Sequence, residues 1–437
     1  MSYPPLLKNF YDHLLESQYW PLERHRTEQR KYLTQLVLHA REHVPYYAGR
    51  LDGLLAADGQ IDWDRWLELP TLSRADALAH TEAMLSGGLP PHHGVVRVSK
   101  TSGSTGPALS VAQTQLVRIY NSANRFRAQR WFKMDVSQDM LVWFGDNPEV
   151  SALPEGDIIG PWGPPWSDRA TGKRYRVNRF TRPEDVLDFL TRKNIRYFSA
   201  RPGAAHSAAL TAERLGLDIV LDGIFTFNTG ARQDERDDCA RIFGGAPMIV
   251  PYSATEASFI AQQCPTGTHF HIHEETVFLE ILNADNRPCA PGETGRVVVT
   301  PLYNYAQPFI RYELGDLASL GPRCACGRTL RVIERLAGRV THMFRFPDGR
   351  QIALSMSTDD QAAFGARYWQ IAQIEPLRIE VRYVPLGEGP GDSQLQHLTG
   401  VLRHKTHPNM QVQFSARADI SRPDGRKFIE YVYEVAE

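Results

Sequence analysis

An α/β fold is predicted for this chain, with a large N-terminal domain and a smaller C-terminal one. Three observations predict it. Its 437 residues exceed the usual size of one domain and suit two or three. Strand-like and helix-like segments alternate through the middle of the chain, as in a parallel or mixed sheet covered on both faces. After Phe270 the alternation gives way to the period-two pattern of antiparallel strands.

The elements follow in order. Leu33, Leu36, Val37, Ala40 and Val44 recur near one helical turn, and Pro45 ends that helix. A short helix is expected over Arg74–Met84 and a strand over Val95–Ser99. The latter feeds Thr101-Ser-Gly-Ser-Thr-Gly106, and a helix is expected from Thr114 to Trp131. Residues 141–145 read as a buried strand, and the proline- and tryptophan-rich stretch Pro161–Thr171 as a loop. Segments 184–193, 204–216 and 234–244 read as helices between strands 195–200, 219–228 and 247–252. Antiparallel strands are expected over 271–283 and 293–302, joined around Pro291-Gly292, with later strands over 374–385 and 410–418 and a loop at 386–391. The domain boundary is placed at Gly338–Arg339, giving domains 1–338 and 339–437.

Composition limits the function. Lysine and arginine number 49 against 50 acids, a net charge of -1, so no global field steers the protein to nucleic acid or anionic membrane. No apolar run is long enough to cross a bilayer, and the first residues do not read as a secretion signal. Five cysteines, two of them separated by a single residue, fit a reducing compartment and a metal site better than a disulfide framework. The expected location is the cytoplasm.

Three segments carry the chemistry. The loop Thr101, Ser102, Gly103, Ser104, Thr105, Gly106 offers hydroxyls and closely turned amides to phosphate oxygens, although it lacks the Gly-Lys-Ser/Thr ending of a Walker A loop. In Tyr252-Ser253-Ala254-Thr255-Glu256, the ring suits a purine, Thr255 a phosphate and Glu256 a magnesium ion. In Tyr312–Asp316 the aspartate suits a ribose diol. A separate set, Cys264, His271, Cys324 and Cys326, has the residue types of a closed structural zinc site, with His269 and His273 as substitutes for His271. Cys239 and Cys289 read as ordinary thiols.

In this order, these motifs resemble those of the adenylate-forming enzymes, specifically the phenylacetate–coenzyme A ligase-like branch. HAREHVPYY at 39–47, TSGSTG at 101–106, YSATE at 252–256, PFIRYELGD at 308–316, the hinge-like GR at 338–339 and RPDGRKF at 422–428 carry the resemblance over nearly the whole chain. Some relatives in that branch also have a matching cysteine-histidine-cysteine pattern. The resemblance implies that ATP and a carboxylic acid become an acyl-adenylate and pyrophosphate, with coenzyme A as the default acceptor. It implies phosphate contacts from loop 101–106, magnesium at Glu256, Thr255 near the α-phosphate or carboxylate, Tyr252 and Ser253 in the adenine motif, and ribose at Asp316. Arg328 and Arg339 are secondary ribose or phosphate candidates, and Lys427 is the mobile lysine that bridges carboxylate and phosphate. Trp143, Phe144, Gly145, Phe225, Phe227 and Asn228 would line the acid pocket, with Trp162 and Trp166 at its entrance. These rings favour an aromatic or heteroaromatic acid.

Three departures qualify the resemblance. Pro107 sits one position early, Ser253 replaces a glycine and so calls for a different turn, and Thr341 stands opposite the hinge aspartate. An adenylase that passes its acyl group to an amine or carrier thiol is therefore a rival, and a non-catalytic nucleotide-binding scaffold a more distant one. The expected partners are the acid, the acyl acceptor and, as a homodimer, a second copy of the chain.

Overall fold

The computed structural model describes residues 3–101, 108–145, 153, 156–167, 170–227, 230–339, 344–352, 354, 364–385, 387–418, 420 and 431–435. Its helices are α1 (Tyr3–Ser17), α2 (Leu22–His43), α3 (Trp63–Glu68), α4 (Arg74–Ala79), α5 (Gln115–Trp131), α6 (Pro183–Arg192), α7 (Pro202–Arg214), α8 (Gln233–Ile242) and α9 (Asp392–Lys405). A two-stranded ribbon, β1 (Arg97–Lys100) and β2 (Ser110–Gln113), flanks residues 102–107.

The alternating middle forms a six-stranded sheet of β3 (Met140–Trp143), β4 (Asp157–Pro161), β5 (Lys173–Val177), β6 (Tyr197–Ala200), β7 (Gly223–Thr226) and β8 (Met248–Ile249). Its order is β4-β5-β3-β6-β7-β8. Only β4 runs antiparallel to its neighbour. Helices α6, α7 and α8 make the crossovers that parallel strands require. β4 and β5 bracket the expected loop at 161–171, and β4 was hidden because its exposed edge position carries no apolar run.

Seven antiparallel strands form the second sheet: β9 (Pro251–Ala254), β10 (Ser258–Gln263), β11 (Phe270–Ile272), β12 (Val277–Leu282), β13 (Thr294–Pro301), β14 (Tyr312–Leu320) and β15 (Val332–Arg339). Their order is β12-β13-β14-β15-β11-β10-β9. The single strand expected over 271–283 is in fact two, because β11 pairs with β10 and β15 while β12 pairs with β13. Residues 274–276 turn the chain between them. Both sheets share one core, in which Leu141, Phe198 and Ile224 meet Ile260, Val299 and Tyr312.

Near the C-terminus, the two-stranded β16 (Phe344–Arg345) and β17 (Gln351–Ile352) precede a four-stranded sheet of order β20-β19-β18-β21. It comprises β18 (Ala366–Glu375), β19 (Arg378–Pro385), β20 (Gln411–Ala416) and β21 (Tyr431–Tyr433). The expected strand 374–385 is therefore the end of β18, a tight turn at Pro376-Leu377, and β19. Trp369, Ile371, Ile379 and Val381 pack with Leu398 and Leu402 of α9 in a core of their own.

The N-terminal helices hold the segment before β14 in place. Tyr47, in the 3-10 turn Pro45–Tyr47, donates to the Pro308 carbonyl at 3.0 Å and accepts from the Ile310 amide at 3.1 Å. Arg311 is fully buried with φ 49°; it pairs with Glu280 at 3.1 Å and donates to the Trp66 carbonyl at 2.8 Å. A buried guanidinium needs such partners to offset its lost hydration. The HAREHVPYY motif therefore acts here as a clamp on PFIRYELGD.

Candidate functional site

Glu256 lies in the turn that joins β9 to β10, and its side chain is 9% exposed. Oε1 accepts from the Tyr312 hydroxyl at 3.0 Å and sits 3.1 Å from Nη1 of Arg74. Nη2 of Arg74 donates to Oγ1 of Thr101 at 3.0 Å, and the same oxygen accepts the Leu109 amide at 2.9 Å. Four remote segments thus meet around one guanidinium. Burial, followed by the Glu256 charge, pushes the Tyr312 hydroxyl well above its ordinary pKa, so it remains a donor.

Tyr252 of β9 donates to Oδ2 of Asp316 in β14 at 2.9 Å. The ladder sets Asp316 opposite Arg339, which puts the end of β15 beside the ribose candidate. Thr255 is held through its carbonyl, which accepts from Gln113 at 2.9 Å. Ser253 lies in regular β9 opposite Phe259 and its φ is not positive, so the expected special turn is absent. An extended residue in a paired strand does not need glycine's freedom.

Other candidates fall elsewhere. Arg328 donates to Gln18 at 3.2 Å and lies over Trp131 at 4.3 Å, remote in its contacts from Thr101, Glu256 and Asp316. These contacts set Arg328 apart from the Thr101–Glu256–Asp316 group, and its position in a cysteine-rich loop carried no signal of that packing. Trp143 stacks on Phe198 in the core, and Trp162 is buried against Tyr197 and Phe225, which makes both packing residues. Trp166 packs against Tyr11 and Phe126. Phe144 and Phe227 meet edge to face at 5.0 Å. Gly145, next to Phe144, adopts φ 141°, a conformation that a side chain would strain. Ser102, Gly103, Ser104, Thr105, Gly106, Asn228, Lys427 and the Arg339 side chain lie outside the described residues.

The sequence reading missed Arg74 and Tyr312 as site residues. Arg74 had been placed only in a helix, where a basic residue at the first position reads as solvated. Its preceding Ser73 caps α4 through the Asp76 amide, and that cap aims the helix start at Thr101 and Glu256.

The cysteine and histidine side chains form a second cluster. The donor atoms of Cys264, His271, Cys324 and Cys326 all lie within 4.8 Å of one another. Cys264 Sγ and Cys324 Sγ are 3.8 Å apart, and Cys326 Sγ is 3.3 Å from Nε2 of His271. A tetrahedron with zinc–sulfur bonds of about 2.3 Å separates its sulfurs by about 3.8 Å, so the donor set and spacing fit zinc. His269 touches Cys324 at 3.0 Å from the edge of the group, while His273 is buried in the core away from it. Cys239 is fully buried, and burial pushes its thiol up to about 12.

The fold is that of one class, the adenylate-forming ligases. A solved 2-hydroxyisobutyryl-CoA ligase bound to an acyl-AMP superposes with a TM-score of 0.71, covering 96% of this chain and 90% of that one at 18% identity. An anthranilate–CoA ligase in complex with anthranoyl-AMP superposes with a TM-score of 0.53 over 78% of this chain and 68% of that one, at 11% identity. No protein-family model matches the chain. The phenylacetate–coenzyme A ligase of Escherichia coli K12 is 41% identical over 322 residues, 70% of this chain and 69% of the relative. The chain therefore belongs to the phenylacetate–coenzyme A ligase family and is an ATP-dependent, acyl-adenylate-forming ligase. Among the described residues, no helix is long and apolar enough to cross a membrane.

Proposed function

We propose that the enzyme activates an aromatic or heteroaromatic carboxylic acid with ATP and transfers the acyl group to coenzyme A. The observation that carries this reading is the meeting of Thr101, Glu256 and Tyr312 around Arg74, with the Tyr252–Asp316 pair on the same sheet. In the first step a carboxylate oxygen attacks the α-phosphorus, the bond to the bridging oxygen breaks and pyrophosphate leaves. In the second, the thiolate of coenzyme A attacks the acyl carbon and AMP departs.

Each residue has a part. Residues 101–106 hold phosphate oxygens, Thr255 and Lys427 orient the α-phosphate against the carboxylate, and Asp316 accepts from the ribose hydroxyls. Asp316 exchanges its tyrosine partner for the ribose, and the freed Tyr252 ring covers the purine. Glu256 would hold magnesium, which binds through one or two carboxylates plus phosphates and supplies charge against the phosphate oxygens. Arg74 spans the same two groups as a fixed cation. Phe144, Gly145 and Phe227 are our candidates for the acid pocket, since edge-to-face rings suit a flat substrate.

The cysteine-histidine cluster would hold structural zinc, because four protein donors leave no position for substrate. We place the domain boundary at Gly338–Arg339, with 339–437 as a lid that carries Lys427 to the adenylation site and rotates for thioester formation. The five cysteines are all free, which suits a cytoplasmic enzyme. A pyrophosphate-release screen across aryl, heteroaryl and aliphatic acids, run with and without coenzyme A and read by mass spectrometry, tests the proposal. Aryl-CoA products are expected. Release without a thioester would assign another acceptor, and no acid-dependent release would refute the reading.

A further inference from the structure

A cavity of about 270 Å³ opens between α1, α2, α5 and the 274–275 turn, and shares no lining residue with the Thr101–Glu256–Asp316 group. Aromatic rings dominate its wall. Phe10 lies 3.9 Å from Tyr120 between ring centroids, and Tyr120 stacks on Tyr303 at 4.1 Å, while Trp20 and His25 stand 5.8 Å apart. Two of its carboxylates are already balanced: Arg331 engages Glu274 at 2.6 Å, and Arg127 engages Glu275 at 2.7 Å. Half-buried Glu28 is the one lining carboxylate without an ion-pair partner among the described residues, and Arg24, which does not line the cavity, lies over the Trp20 ring at 3.5 Å. His25 is 2% exposed, and its Nε2 has no hydrogen-bond partner among the described residues.

We propose that this cavity is a binding site for a small protonated primary amine, separate from the catalytic centre. Electron-rich ring faces attract an organic cation while its apolar part replaces water on the rings. Glu28 supplies the countercharge. The orphaned nitrogen adds specificity, since a buried ring nitrogen without a partner costs free energy that an ammonium N–H relieves. An anionic ligand would meet the unbalanced Glu28 instead, and a quaternary ammonium has no N–H for His25. The amine is therefore the class that answers all three features.

Calorimetric titration of the full-length enzyme with 2-phenylethylammonium, set against neutral 2-phenylethanol, tests the site. Saturable binding is expected for the ammonium, and about tenfold weaker binding for the alcohol. Glu28→Gln, a change on a half-buried side chain, should weaken the ammonium about tenfold. Asn9→Trp, which fills the cavity mouth from an exposed position, should abolish binding. Both variants should retain wild-type acid-dependent pyrophosphate release without amine, which separates loss of this site from loss of the fold or the catalytic centre. No saturable heat into the millimolar range, equal binding of the alcohol, or wild-type affinity in both variants would overturn the assignment.

Discussion

The nucleotide-directed group and the cysteine-histidine cluster satisfy their polar atoms in opposite ways. Around Glu256 every charged group has a protein partner that a ligand can replace: Arg74 for phosphate oxygens, Tyr252 for a ribose hydroxyl. Around Cys264 the donor atoms of Cys264, His271, Cys324 and Cys326 face one another within 4.8 Å. The first arrangement suits exchange during turnover; the second suits one permanent ion. Buried polar groups in both regions obey the same demand for partners, but only the first keeps spare ones.

That contrast can be broken by substitution. Lys427→Ala should give the largest kinetic loss, about 10³-fold in acyl-AMP formation, with ATP affinity measured by calorimetry little changed. Glu256→Gln should lower the same rate about 10²-fold and raise the magnesium requirement in a metal titration. Arg74→Ala removes charge-assisted bonds to Glu256 and Thr101. A loss of about 10- to 100-fold in kcat/KM for ATP is expected, with partial recovery in Arg74→Lys. Tyr252→Phe deletes one neutral-to-charged hydrogen bond and should change the KM for ATP by less than about tenfold. Cys324→Ser should leave the rate per folded molecule within about twofold while elemental analysis shows zinc falling from about one per chain, and the unfolding midpoint should drop by roughly 5–10 °C. A large catalytic loss in that variant without metal loss would erase the distinction between the two regions.

Legibility in the sequence followed the range of the interactions. Strands β3, β6, β7 and β8 and the crossover helices of the six-stranded sheet were readable because apolar runs and helical periods are local, as at 195–200 and 204–216, whereas β4 and β5 at its edge were not. The Glu256 and Asp316 motifs stood out as candidates because their chemistry is concentrated in a few adjacent residues, and the cysteines because their residue type is rare in the chain. Arg74 did not, since its role depends on a capped helix start reaching two segments far away in sequence. Trp143 and Trp162 misled for the converse reason: a large ring looks the same in sequence whether it lines a pocket or fills a core. Alternation alone could not choose among His269, His271 and His273, and only the approach of the 324–326 loop singles out His271.

The central claim is that ATP is used at the Thr101–Glu256–Asp316 group to activate an acid. It is tested most directly by a structure of the enzyme with a bound, non-hydrolysable acyl-adenylate analogue. The account predicts the ribose hydroxyls within hydrogen-bonding distance of Asp316, the phosphate-mimicking group beside Thr101 and Thr255, and the acyl ring near Phe144 and Phe227. An analogue bound with its ribose remote from Asp316 and its phosphate mimic away from Thr101 would contradict it.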